Sequence, residues 1–216
     1  MDFGAARRNM IECQIRPNKV VDEALLASMG EAPREQFLPD SLRAVAYVDE
    51  DLKLNDERCM LEPMVLARLL QELFLTPGDA VLDIASGTGY AAAIMARLAG
   101  SVFALEADTD LQARATELFS ELALDNIVPV DGDLNAGCPE HAPFNAILIE
   151  GAVDAVPKAI LDQLAEGGRL IAIVMENRIG RATLYRKDAG HLSRRTIFDA
   201  NAPVLKSFRN PTGFKF

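Results

Sequence analysis

Beyond residue 79 the chain alternates two hydrophobic patterns. Short apolar runs at residues 80–84, 101–106, 127–130, 146–149 and 169–174 suit buried parallel strands, whose two covered faces leave little room for polar positions. Between them lie segments of helical period. One over 90–98 is rich in alanine, one over 109–123 sets Leu111, Ala115, Leu118 and Leu122 on a single face, and one over 156–164 precedes Gly167-Gly168. Two last strands, 181–186 and 194–198, flank the turn Asp188-Ala189-Gly190-His191 and read as an antiparallel pair. Residues 1–75 show helical period without strand alternation. Ala24, Leu25, Ala27, Ser28 and Met29 form amphipathic turns, 64–75 is a second helix opened by Pro63, and Pro17, Pro33 and Pro39 punctuate the rest.

This alternation predicts an α/β fold: a doubly wound, mostly parallel seven-stranded sheet of Rossmann-like form with an N-terminal helical extension. The turn Thr76-Pro77-Gly78-Asp79 divides a helical cap, 1–75, expected to face substrate, from an α/β core, 76–216, expected to hold the ligand and to end in the antiparallel strands. The last segment, 201–216, is apolar enough to dock on the sheet. In such a sheet the ligand crevice lies outside the carboxyl ends of the strands.

Composition removes several function classes. The 32 Asp and Glu outweigh the 22 Lys and Arg, a formal charge of −10, whereas phosphate backbones are bound by clustered cations, so no nucleic-acid partner is expected. Arg7, Arg8, Arg16 and Lys19 do gather near the N-terminus, but they suit a solvated helix face. No apolar run reaches the ~20 residues of a membrane span. With no signal peptide at Met1-Asp2-Phe3-Gly4, a cytoplasmic location is expected. Cys13, Cys59 and Cys138 stand far apart with only His141 and His191 to join them, so neither a metal site, a disulfide framework nor a cysteine nucleophile is expected.

The chemistry gathers where the strands end. Asp83 to Gly89 follow the first strand, Glu106 ends the second, Gly132-Asp133 follow the third, and Glu150-Gly151 end the fourth. A single loop acid is as well explained as a helix cap, but four at one crevice point to a ligand. Gly87-Thr88-Gly89-Tyr90-Ala91-Ala92 fits the dinucleotide pattern G-x-G-x-x-A, and Glu106 stands where it could take ribose hydroxyls. Asp83 decides against a dinucleotide. Unit charges ~4 Å apart interact by about 4 kcal/mol at the effective dielectric of a protein surface, and a carboxylate beside the glycine loop would oppose two phosphates by that scale. S-adenosylmethionine brings an α-ammonium and a sulfonium instead, with a ribose and an adenine amine that need acceptors.

At this point the residues resemble a known family. The segments VLDIASGTGY, VFALEAD, the Gly132-Asp133 turn and EGGRLIAIV look like the nucleoside-binding half of class I methyltransferases. The N-terminal part is similar to protein-L-isoaspartate O-methyltransferases: Gln14-Ile15-Arg16, the Pro33-Arg34-x-x-Phe37-x-Pro39 turn and the Ala46-Tyr47-x-Asp49 step. The likeness covers about residues 7–175. It implies S-adenosylmethionine as cofactor, S-adenosylhomocysteine as product, and cofactor contacts from Asp83, Ala85, Ser86, Gly87, Gly89, Glu106, Ala107, Gly132, Asp133, Leu134 and Glu150. It further implies a monomeric enzyme of protein repair that methylates L-isoaspartyl carboxyls in damaged proteins or peptides, after which the ester collapses to a succinimide.

The chain departs from that pattern in three places. Ala85 stands for the first loop glycine, Cys59-Met60-Leu61-Glu62-Pro63 for a T-I-S-Q-P segment whose serine lies near the transferred methyl, and Glu150-Gly151-Ala152 for small uncharged residues. Leu61, Glu62 and Glu150 are therefore the expected substrate-proximal residues. A missing hydroxyl that acted like an oxyanion donor would cost about 2–4 kcal/mol in the transition state. Glu62 and Glu150 could instead orient a cationic or hydroxyl-bearing acceptor, or meet an arginine such as Arg16 or Arg58. A methyltransferase for an amine or hydroxyl, a silent cofactor-binding relative and a nicotinamide oxidoreductase remain as alternatives to an isoaspartyl enzyme.

Overall fold

The structure is a computed structural model and describes residues 2–209. Its centre is a seven-stranded sheet built from β3 (Ala80–Ile84), β4 (Ser101–Glu106), β5 (Ile127–Asp131), β6 (Phe144–Val153), β7 (Leu164–Glu176), β8 (Ile179–Asp188) and β9 (His191–Asp199). The strand order is β5-β4-β3-β6-β7-β8-β9, parallel through β7 and antiparallel for the last two, as the hydrophobic runs predict. Successive strands run outward from β3 to β5 and the chain then returns to the other side of β3. The strand order therefore reverses between β3 and β6.

Helices form where local chemistry closes their ends. Asp22 accepts hydrogen bonds from the amides of Ala24 and Leu25 at the start of α2 (Glu23–Glu31), and Asp108 does the same for Asp110 and Leu111 at α5 (Thr109–Glu121). Pro63 opens α3 (Pro63–Gln71) at a position whose amide would have no helical partner. Gly89 opens α4 (Tyr90–Met95) at φ +87°, and a Cβ there would stand 2.3 Å from the Phe119 ring, so this backbone meets α5 without a side chain between them.

The two sheet faces carry separate cores. On one, Val81, Ala104, Ala146 and Leu148 pack with Met10, Ile15, Leu25, Met29, Leu66 and the alanines of α4, so the N-terminal segment shares one continuous core with the sheet. On the other, Leu82, Ile84, Leu105, Ile147 and Ile149 lie against Ile160, Leu205 and Phe208. The C-terminal segment docks as its composition predicts: Val204 bridges to Ala152, whose amide donates to Pro203 and whose carbonyl accepts from Leu205. The remainder of the docking expectation, 210–216, lies outside the described residues.

Several boundaries differ from the sequence reading. The helix expected over 156–164 is one turn, α6 (Lys158–Leu161), because Leu164 already pairs with Phe144 as the start of β7. β6 runs on to Val153 past an irregularity between Leu148 and Ala152. The N-terminal part begins with α1 (Phe3–Asn9), and it is not wholly helical. Two-residue strands, β1 (Leu52–Lys53) and β2 (Cys59–Met60), pair antiparallel as a small hairpin, a length too short to show alternation in a sequence.

Candidate active site

The sheet register brings three of the four acids together. Asp83 lies opposite Ala104 on β4 and Leu148 on β6. Side chains alternate along a strand, so Glu106 and Glu150, each two residues further on, face the same way as Asp83. That face is the one covered by the N-terminal helices, and Asp83 and Glu150 flank the reversal of strand order. Asp133 is not among them. It is exposed and accepts from the amide of Asn135, a local turn of the kind Asp forms with its own backbone.

Asp83 is fully buried and Glu150 is 6% exposed, and both Asp83 oxygens and Glu150 Oε1 lack an N–H or hydroxyl donor among the described residues. Their partner is each other, through a bond that exists only while one carboxyl keeps its proton. Burial lifts Asp83 to about 7, with a hydrogen bond from Glu150 pulling it down and the Glu106 charge pushing it up. Glu150 is held well above the ordinary carboxyl range, first by burial and then by Asp83 and Glu106, with Arg34 opposing. Both carboxyls are thus pushed towards their protonated forms by burial and by the Glu106 charge. Arg34, itself fully buried, is fixed by Nε to the Ala46 carbonyl at 2.7 Å and by Nη2 to the Leu61 carbonyl at 2.8 Å, and its Nη1 has no hydrogen-bond acceptor among the described residues.

The glycine loop follows β3 directly. The amides of Ala85 and Ser86 donate to the Leu105 carbonyl, and Gly87 turns at φ +56°. Ala85 sits at φ +64°, a conformation that costs a non-glycine residue about 1–2 kcal/mol, so the loop keeps the glycine-type turn in spite of the methyl. Ala107 is exposed while Leu134 is buried.

Glu106 is already engaged. Its carboxylate accepts from Arg58 Nε at 3.0 Å and Nη2 at 2.8 Å, and from the amides of Gly87 at 2.9 Å, Ala107 at 2.8 Å and Asp108 at 3.0 Å. This buried ion pair is a contact the sequence reading missed. Arg58 lies 48 residues from Glu106 in a loop with no periodicity, and no local pattern connects them. Arg16, the other arginine considered for the substrate-side acids, pairs with Glu12 and Glu23 at the surface. Neither arginine meets Glu62 or Glu150 through any ion pair among the described residues.

On the N-terminal side Leu61 is fully buried, held in place through its carbonyl by Arg34, and offers no hydroxyl. Glu62 is half-buried at the start of α3, its amide donates to Asp51 at 2.8 Å, and its carboxyl is raised by burial and by the charges of Asp49, Asp51 and Glu50. Cys59 is pushed up to about 12 by burial and by Asp51 and Glu150, which leaves it a thiol rather than a nucleophile.

The residues suit a cationic nucleoside ligand in part. Buried carboxyls at the switch point that take no N–H or hydroxyl donor among the described residues are what an ammonium or sulfonium needs, with Leu54 and Phe119 standing against Gly87 and Gly89 of the adjoining loop. Glu106 has the position for a ribose but not, with Arg58 in place, the free acceptors.

Comparison with known proteins gives the same direction. The family profile described as protein-L-isoaspartate(D-aspartate) O-methyltransferase matches residues 5–201. A protein-L-isoaspartate O-methyltransferase of Koribacter versatilis is 36% identical over 197 residues, covering 91% of this chain and 89% of its own. Protein-L-isoaspartate O-methyltransferase 2 of an Anaeromyxobacter species is 40% identical over 165 residues, 76% of this chain and 68% of that one. A solved structure described as a protein-L-isoaspartate O-methyltransferase superposes with TM-score 0.80 at 28% identity over 92% of this chain, which spans 65% of that protein. A putative protein-L-isoaspartate O-methyltransferase of Plasmodium falciparum, solved with S-adenosyl-L-homocysteine, shares the fold with TM-score 0.81 at 21% identity over 96% of this chain and 99% of its own.

Proposed function

Because the chain belongs to the protein-L-isoaspartate(D-aspartate) O-methyltransferase family, we propose that it transfers the methyl group of S-adenosylmethionine to the carboxyl of L-isoaspartyl residues in proteins or peptides. The observation that carries the reading is the pair Asp83 and Glu150, buried side by side at the switch point with no ion pair to either among the described residues. Carboxyls so placed favour a ligand with positive charge and disfavour the phosphates of a dinucleotide.

When bound, S-adenosylmethionine supplies a methyl group on a sulfonium, open to in-line displacement by a carboxylate. The acceptor is already ionised at neutral pH, so no residue of the chain has to remove a proton. The work left to the protein is holding, aligning and excluding water. Asp83 and Glu150 would hold the positive end, and a cation bound beside them would favour the ionised form of both carboxyls. The positive φ at Ala85 and Gly87 turns the loop beside Asp83, where its backbone would face the ligand once Leu54 is displaced, and Glu106 would take the ribose hydroxyls once freed from Arg58.

Leu61 and Glu62 make this a slow enzyme in our reading. Leu61 gives the acceptor nothing to bond, and Glu62 adds negative charge near an anionic substrate. Leu61→Ser is expected to raise kcat/KM for an isoaspartyl peptide roughly tenfold or more, the scale of one restored polar contact in the transition state. The acids Glu62, Asp49 and Asp51 favour as second reading an amine acceptor. The excess of 32 acidic over 22 basic residues supports a protein rather than nucleic-acid substrate, and our reading takes the chain as a monomer in the cytoplasm. Among the described residues no helix is long and apolar enough to cross a membrane. Transfer of labelled methyl to an isoaspartyl peptide, and not to its aspartyl twin, tests the proposal; equal labelling of both would reject the isoaspartyl acceptor.

A further inference from the structure

The Leu52–Met60 hairpin lies over the carboxyl ends of β3 and β4 and is tied down at three points. Arg58 holds Glu106 at 2.8 Å with only 6% of its side chain exposed. Asn55 Nδ2 donates to Asp108 Oδ2 at 2.9 Å, at the cap of α5. Glu57 meets Lys206 of the docked C-terminal segment at 2.7 Å. Between these ties Leu54 presses onto the glycine loop, where a Cβ at Gly87 would stand 2.8 Å from its Cδ1.

Two cavities adjoin this hairpin. One of about 370 Å³ is bordered by Thr88, Leu111 and Leu54. The other, about 190 Å³, is bordered by Val204, Lys206 and Arg58. Asp83, Glu106 and Glu150 line neither. A nucleoside cofactor needs a cleft of roughly 300 Å³ or more reaching those acids, and the hairpin covers Glu106 with Arg58 and Gly87 with Leu54.

We propose that this hairpin is a latch on the cofactor site and that Arg58 sets the site's affinity, because its guanidinium occupies the face of Glu106 that a ribose diol would use. The proposal rests on the methyltransferase reading for the identity of the ligand. A carboxylate has about four lone-pair positions, and Arg58 with three backbone amides fills them. Binding then requires the closed and open arrangements to exchange, and the apparent affinity falls by the fraction of molecules that are open. Glutamine at position 58 removes the charge that competes for Glu106 and leaves the three amides that fix its carboxylate.

Cys59 reports the latch without any ligand. Its thiol is half-buried next to Arg58, and burial among Asp51 and Glu150 suppresses the thiolate, so alkylation in the closed form is slow. The experiment alkylates the full chain with iodoacetamide and follows each cysteine by peptide mass spectrometry, with the exposed Cys13 as reference. S-adenosylhomocysteine binding is measured by calorimetry on the same samples. Arg58→Gln is expected to alkylate Cys59 at least tenfold faster and to bind S-adenosylhomocysteine at least tenfold more tightly. Lys206→Gln, which cuts only the surface tie and cannot unfold the core, is expected to give a two- to threefold change in the same directions. An unchanged Cys59 rate in both variants overturns the latch. So does weaker S-adenosylhomocysteine binding by a folded Arg58→Gln, which would make Arg58 a ligand contact. Failure of every sample to bind S-adenosylhomocysteine would defeat the methyltransferase reading instead, and the latch would then stand or fall on the Cys59 rates.

Discussion

At the scale of single residues, the buried acids set how the protein responds to pH. Asp83 and Glu150 are raised above their unfolded values, so the folded chain holds more protons than the unfolded one between the ordinary carboxyl range near 4 and about 7. Stability from this pair is present at low pH and is lost as pH rises through that window. Glu150→Gln keeps a donor for Asp83 and removes the second acid. Its melting temperature should exceed that of the parent at pH 8, with a gain of about 1–3 kcal/mol, and the two should converge towards pH 4. Parallel decline of both proteins from pH 4 to 8 would show that the pair shares no proton. Arg34 behaves oppositely, because Arg34→Met leaves the buried carbonyls of Ala46 and Leu61 without donors. A loss of about 2–6 kcal/mol in denaturant unfolding is expected, from two such groups at about 1–3 each.

At the scale of elements, the strands were legible wherever both faces are buried. The runs at 80–84 and 101–106 coincide with β3 and β4, since a parallel strand covered on both sides leaves a continuous apolar record. β5 to β9 were recognised in type, but their ends were set by pairing partners far away in sequence, as when Phe144 draws Leu164 into β7. The hairpin at Leu52–Met60 left no record of its own, because its ties to Glu106, Asp108 and Lys206 are polar contacts 48 to 149 residues distant. The site was legible in the same uneven way. Strand ends placed Asp83, Glu106 and Glu150 together, whereas Asp133 closes its own turn and Arg58 was out of reach of any spacing rule. The docked C-terminal segment can be tested as an element. Leu205 is 3% exposed against the second sheet face, and Leu205→Ala should cost about 2–4 kcal/mol by the same denaturant measurement.

At the scale of the whole molecule, the N-terminal helices and the sheet share a single core, and the acids lie on the face between them. The fold thus brings substrate-side residues from one end of the chain to ligand-side residues from its middle, and the charge at that junction is strongly negative apart from Arg34 and Arg58. Such a site suits a cationic cofactor and works against an anionic acceptor, which is why slow carboxyl methylation is expected rather than none. An ester and an amine product differ in one property that is easily read: a methyl ester releases its label in mild base, and an N-methyl group or methyl ether keeps it. The most direct measurement therefore incubates the full chain with an isoaspartyl peptide and S-adenosylmethionine labelled in the methyl group, then treats the peptide with base. The account predicts label on the isoaspartyl peptide that base removes, and none on the aspartyl twin. Base-stable label, or no label while S-adenosylhomocysteine binds, would contradict it.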